Sequence, residues 1–104
     1  MSSQMKVLFS FHSAERMKQR LNLDVSTKYD VDISSAFTKS HTYKHTSMQD
    51  TTCVAYVHKD KTMPIVLIID AKTRIVMTVL LGKKITNQNA PFVNECYAKI
   101  GVSI

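Results

Sequence analysis

The run Ile65-Val66-Leu67-Ile68-Ile69 limits what this chain can become more than any other stretch. Five consecutive aliphatic residues, four of them β-branched, leave no polar side, so the run predicts a short central strand. Pro64 stops that strand from extending backwards. Asp70-Ala71-Lys72-Thr73 is a tight connection, and residues 74–81 form the next strand, so the two should pair as an antiparallel hairpin. The run is also the longest unbroken aliphatic stretch, far short of the ~20 residues that a membrane span needs.

The other elements are placed around this hairpin. Residues 6–10 predict a short strand leading into a first helix at Phe11-His12-Ser13-Ala14-Glu15-Arg16-Met17-Lys18-Gln19-Arg20. Ser13 is the expected N-cap, and Glu15 then sits in the first turn, where a negative charge suits the helix dipole. At about 100° per residue, Ala14, Met17 and Leu21 face a core, while His12, Arg16 and Arg20 recur every fourth residue on the other side. Asn22, tolerant of a left-handed backbone, ends the helix.

Asp24 is the expected cap of a second helix running to about residue 39, with Val25, Tyr29, Ile33, Ala36 and Phe37 at helical spacing and a break near 30–32. Residues 41–47 alternate like an exposed strand, 52–58 form a further strand, and 59–62 form a loop. Asn89 and Pro91 open a last helix with Phe92, Val93, Cys96, Tyr97 and Ile100 on its apolar side, and Gly101 closes it. The expectation is one α+β domain over residues 1–104. Its N-terminal helices pack on one face of a four-stranded or slightly larger antiparallel sheet, with a C-terminal helix.

Composition narrows the function classes. The chain of 104 residues is 44% hydrophobic with two Gly and two Pro, which fits a globular fold that is not dominated by loops. Its net charge of +6 favours a polyanionic partner, RNA or DNA, and leaves an acidic protein open. Cys53 and Cys96 are too few for a disulfide scaffold and sit among apolar neighbours, so buried free thiols are expected. No basic-then-apolar leader opens the chain, and the expected location is the cytoplasm.

His12 can exchange a proton near neutral pH, and Arg16 one turn away can hold a phosphate. Metal-independent RNA cleavage needs a base, an acid for the leaving oxygen, and cations for the extra negative charge. Glu15 lies beside this pair, and His45 is a candidate second proton carrier. Tyr43 and His45 share one sheet face and Lys44 takes the other. Thr78 interrupts an apolar strand and can contact a phosphate if its face opens on a cleft. Arg20, Lys44, Arg74, Lys83 and Lys84 are the expected phosphate contacts. Each also has a plainer reading, as a satisfied core hydroxyl or a solvated surface charge.

His41, His45, Cys53 and His58 invite a zinc reading. Strand residues four apart are ~13 Å from each other, too far for one tetrahedral ion, so no metal and no cofactor are expected. Gly-rich phosphate loops, HExxH, CxxC and GxSxG are absent.

Residues 11–20 resemble the His-Ala-x-x-Arg-Met-x-x-Arg type of opening in a family of small RelE-like proteins, grouped with the barnase, colicin and RelE-type ribonucleases. Ile75-Val76-Met77-Thr78-Val79 is similar to that family's late strand. The chain departs from the pattern at Leu21-Asn22-Leu23 and after Leu81. The resemblance implies a metal-free endoribonuclease, often a toxin with an acidic antitoxin or inhibitor protein as partner. His12, Arg16 and Thr78 are then the positions carried over, with Glu15 beside them. The alternative is a non-catalytic basic module that binds RNA or another protein, such as a phage-encoded modulator of a host enzyme.

Overall fold

The computed structural model describes residues 5–45, 51–60, 62–82 and 90–102. In chain order they form β1 (Lys6–Phe9), α1 (Phe11–Leu21), β2 (Val31–Asp32), β3 (Phe37–His45), β4 (Thr51–His58), β5 (Ile65–Asp70), β6 (Ile75–Leu81) and α2 (Ala90–Lys99). The strands make a six-stranded sheet in the order β2-β1-β6-β5-β4-β3.

β5 is an inner strand with antiparallel partners on both sides. Its alternate residues serve two cores. Ile65, Leu67 and Ile69 join Val7, Phe9, Met17, Val76 and Val79 on one face. Val66 and Ile68 join Cys53, Ala55, Val57, Val93, Cys96 and Tyr97 on the other. This two-sided burial is why the run has no polar position, since each side chain leaves water by about 1.5–3 kcal/mol worth of transfer.

The sheet is therefore larger than four strands, and it is mixed. β1 runs parallel to β6, with Leu8 opposite Ile75 and Phe9 opposite Val76. The helices also do not share one face. Met17 of α1 belongs to the first core, and Val93, Cys96 and Tyr97 of α2 belong to the second.

The expected second helix is not formed. Residues 22–30 are irregular, and the remainder becomes β2, a turn at 34–36 and the start of β3. The Ser26 hydroxyl accepts the Lys28 and Tyr29 amides, and the Asp32 carboxylate accepts the Ser34 amide. These local bonds give the backbone an alternative to a helix that its β-branched residues already disfavour. Ile33 and Phe37 still reach the core, but Tyr29 is exposed.

At α1 the cap is Ser10, one turn earlier than expected: its hydroxyl accepts the Ser13 amide at 3.1 Å. Ser13 is instead buried, and its hydroxyl donates to the Ser10 carbonyl. Glu15 consequently falls beyond the first turn. Asn22 ends the helix with φ 55°, as its identity suggested. At the other end of the chain, Gly101 follows α2 with φ 81°.

Candidate functional site

β1 stops at Phe9 while β6 continues to Leu81, so β6 outruns its parallel neighbour. α1 packs against β6. Two of its side chains satisfy β6 carbonyls: the Ser10 hydroxyl, at the cap, donates to Val76 at 3.2 Å, and the Arg20 guanidinium donates to Val79. Arg20 is thus an anchor of the helix as well as a cation. Burial, and then the nearby Arg16 charge, lower its pKa from the ordinary guanidinium value.

Ser13 and Met17 are the buried residues of α1. Away from that buried side, exposed and half-buried residues form two adjacent rows at four-residue spacing, with Arg16 and Arg20 half-buried on the flank. One row is Phe11, Glu15 and Gln19; the other is His12, Arg16 and the tethered Arg20. Arg16 donates to the Gln19 side chain at 3.0 Å, which links the rows. Among the described residues, no carboxylate lies within ion-pair distance of His12, Arg16 or Arg20. Lys18, one turn before the helix end, pairs with Asp24 at 3.3 Å.

Three carboxylates elsewhere, Asp32, Asp60 and Asp70, accept backbone amides. Asp60 accepts the Thr62 amide and hydroxyl, and Asp70 accepts the Lys72 and Thr73 amides. Hydrogen bonds from Ser34 hold Asp32, and hydrogen bonds from Thr62 hold Asp60, below the usual carboxylate range.

The remaining expected residues are divided. Thr78 lies opposite Ile68 in the β5–β6 ladder, so its side chain is on the α2 face. Met77 is the extra residue of a bulge there, and its thioether lies 3.8 Å from the Cys53 thiol. His45 lies on that face too, its ring 6.2 Å from Tyr43. The structure therefore sets Thr78 and His45 on the side of the sheet away from α1, and the five residues named for catalysis are not brought together. Lys44, opposite Thr52, is on the α1 face but on the outermost strand, about 14 Å across the sheet from β6.

Arg74 closes the turn into β6 with φ 64°, and its guanidinium donates twice to the Lys6 carbonyl at 3.3 Å. Lys83 and Lys84 lie outside the described residues. His41 packs against Tyr43 and Phe92, and its Nδ1 is 2.9 Å from the Ser40 hydroxyl, which also donates to the Cys96 carbonyl. Among the described residues no three His, Cys, Asp or Glu side chains are placed to hold a metal. Both cysteines are free and buried, and burial pushes the Cys96 thiol up to about 11.

Phe11 is an addition to the residues named from sequence. Its ring is 82% exposed, although Phe9, two positions earlier, is in the core. The signal was present in the helical wheel, where Phe11 stands about 120° away from Met17. No family model matches the chain, and no curated protein or solved structure does so either.

Proposed function

We propose that the chain is a non-catalytic RNA-binding domain whose contact surface is the solvent side of α1. The observation that carries this reading is the His12–Arg16–Arg20 row, which has no carboxylate counter-charge among the described residues. The guanidinium charges of Arg16 and Arg20, held four residues apart, repel, and a bound phosphate chain relieves that repulsion. The overall charge of +6 adds long-range attraction of the same sign.

Binding is favoured over cleavage because Thr78 and His45 are on the α2 side of the sheet. Transesterification needs an acid, a base and an oxyanion stabiliser around one phosphate. On α1 the imidazole of His12 has guanidinium neighbours but no second proton carrier other than Glu15.

The test is a titration of purified protein into a labelled RNA in EDTA. Binding that weakens steeply with salt is expected, with the RNA left intact and with His12→Ala unchanged in that respect. Arg16→Ala should lower affinity and reduce the salt slope by about one. RNA cleavage that disappears in His12→Ala would overturn the binding reading in favour of a metal-free ribonuclease. Salt-independent binding would remove the electrostatic basis altogether.

A further inference from the structure

Phe11 and Glu15 run alongside the cationic row of α1, one residue out of step with it. This pairing bears on which form of RNA the helix takes. A duplex presents phosphates and riboses outward and keeps its base faces stacked inside. Laid on α1, it would bring phosphates against Glu15 as well as Arg16, and it would have no use for an exposed ring. A single strand has two different sides, a charged backbone and open base faces. Those sides match the two rows.

Resting on the RNA reading above, we propose that α1 selects single-stranded RNA, with one unpaired base stacked on the Phe11 ring and the adjoining phosphate on His12 and Arg16. Glu15 supplies the exclusion. Its carboxylate repels phosphate from the Phe11 row and leaves that row to the uncharged base.

The ring has no competing task in the fold. It takes part in none of the ring–ring contacts among the described residues. The helix start is secured by Ser10 and Ser13 instead. The backbone that carries the ring is held in place, because Phe11 is the first residue of a helix capped at Ser10 and docked on β6. An aromatic platform beside cations is how sequence-tolerant single-strand binding is achieved.

The chain has no Trp, so Phe11→Trp gives a single indole reporter at the proposed contact. Its fluorescence should be quenched by an unstructured adenosine oligomer and unaffected by a blunt duplex of equal length. Anisotropy titrations should show Phe11→Ala binding the oligomer about 5- to 100-fold more weakly, the range for one lost base–aromatic stack, with duplex affinity unchanged and Phe11→Tyr close to wild type. Glu15→Gln should raise duplex affinity more than single-strand affinity.

If Phe11→Ala binds the oligomer as tightly as wild type while Arg16→Ala binds it weakly, stacking is wrong and the RNA reading stands. If neither form of RNA binds the wild-type protein, both fall. Phe11 is exposed, so these variants should fold; matching circular dichroism spectra and urea midpoints establish that each comparison is between folded proteins.

Discussion

The two helices sit on opposite faces of one sheet and are built for different work. α2 buries Val93, Cys96 and Tyr97, and the Tyr97 hydroxyl is a hub. It donates toward the His58 and Met63 carbonyls, each at 2.9 Å, and accepts the Ile65 amide at 3.1 Å. That hydroxyl ties the β4–β5 connection to the helix. A Cβ on Gly82 would meet the Val93 Cβ at 2.7 Å, so β6 and α2 approach as closely as a glycine permits. α1 buries Met17 and Ser13, packs Ala14 and Leu21 partly against the same core, and leaves Phe11, His12, Glu15, Lys18 and Gln19 exposed. The contrast separates a structural face from a face with charge and ring surface to spare. That is the reason for placing the contact on α1 and not on the aromatic cluster of Tyr43 and Phe92.

The sharpest way to break this contrast is to damage α2 and ask whether binding follows. Tyr97→Ala removes a ring that is 1% exposed and leaves the β4–β5 carbonyls and the Ile65 amide without their partner. A loss of about 3–5 kcal/mol is expected in urea denaturation. RNA affinity of the fraction that remains folded should be unchanged. A small stability effect with a large loss of affinity would reverse the roles assigned to the two faces.

A smaller effect should appear at alkaline pH. Burial raises the Cys96 thiol from 9.0 to about 11, and it raises Cys53, Tyr43 and Tyr97 in the same direction. Each of these groups is neutral in the fold. The unfolded chain ionises first, so the stability that Cys96 contributes is complete below pH 9 and is lost as the pH climbs towards 11. One pH unit of that difference corresponds to about 1.4 kcal/mol at most. Unfolding midpoints measured from pH 8 to 11 should therefore fall, and Cys96→Ala should flatten part of the descent. A flat profile across that window would mean that the α2 face is wetter than its burial indicates.

Which parts of this were legible in sequence follows from how each element is stabilised. The hairpin of β5 and β6, the strand β4, both helix ends at Asn22 and Gly101, and the apolar side of α2 are local signals: an aliphatic run, an alternation, a residue that tolerates a left-handed backbone. They were readable. The parallel pairing of β1 with β6 was not, because it joins residues far apart in the chain, and four residues carry little register information. The helical spacing of Val25, Tyr29, Ile33 and Phe37 misled for a related reason. Ile33 and Phe37 are buried, but by a turn and a strand, and the Ser26 and Asp32 side chains that redirect the backbone leave no mark on periodicity. The candidate site divided in the same way. His12, Arg16 and Arg20 share one helix, as their spacing predicted, but Arg20 turns in to the Val79 carbonyl instead of facing solvent. Thr78 and His45 could be added only by guessing which sheet face each would occupy, and β6 carries a bulge at Met77 that shifts the alternation just before Thr78.

The finest distinction lies within α1 itself, between two arginines one turn apart. Arg20 donates to the Val79 carbonyl at the stretch of β6 that β1 does not reach, so Arg20→Ala strips a partner from a ladder carbonyl and should cost about 1–2 kcal/mol. Part of that loss is offset, since removing Arg20 also removes its repulsion with Arg16. Arg16 has only the Gln19 side chain as its partner among the described residues, and Arg16→Ala should move stability by less than about 0.5 kcal/mol. For RNA the order inverts: Arg16, whose remaining donors face solvent, should matter more than Arg20, whose guanidinium is already engaged. Urea melts and salt-dependent titrations on the two single variants measure both quantities. If Arg16→Ala proves the more destabilising and Arg20→Ala the weaker binder, the helix is held and loaded by the opposite residues, and the contact surface must be moved towards the C-terminal turn of α1.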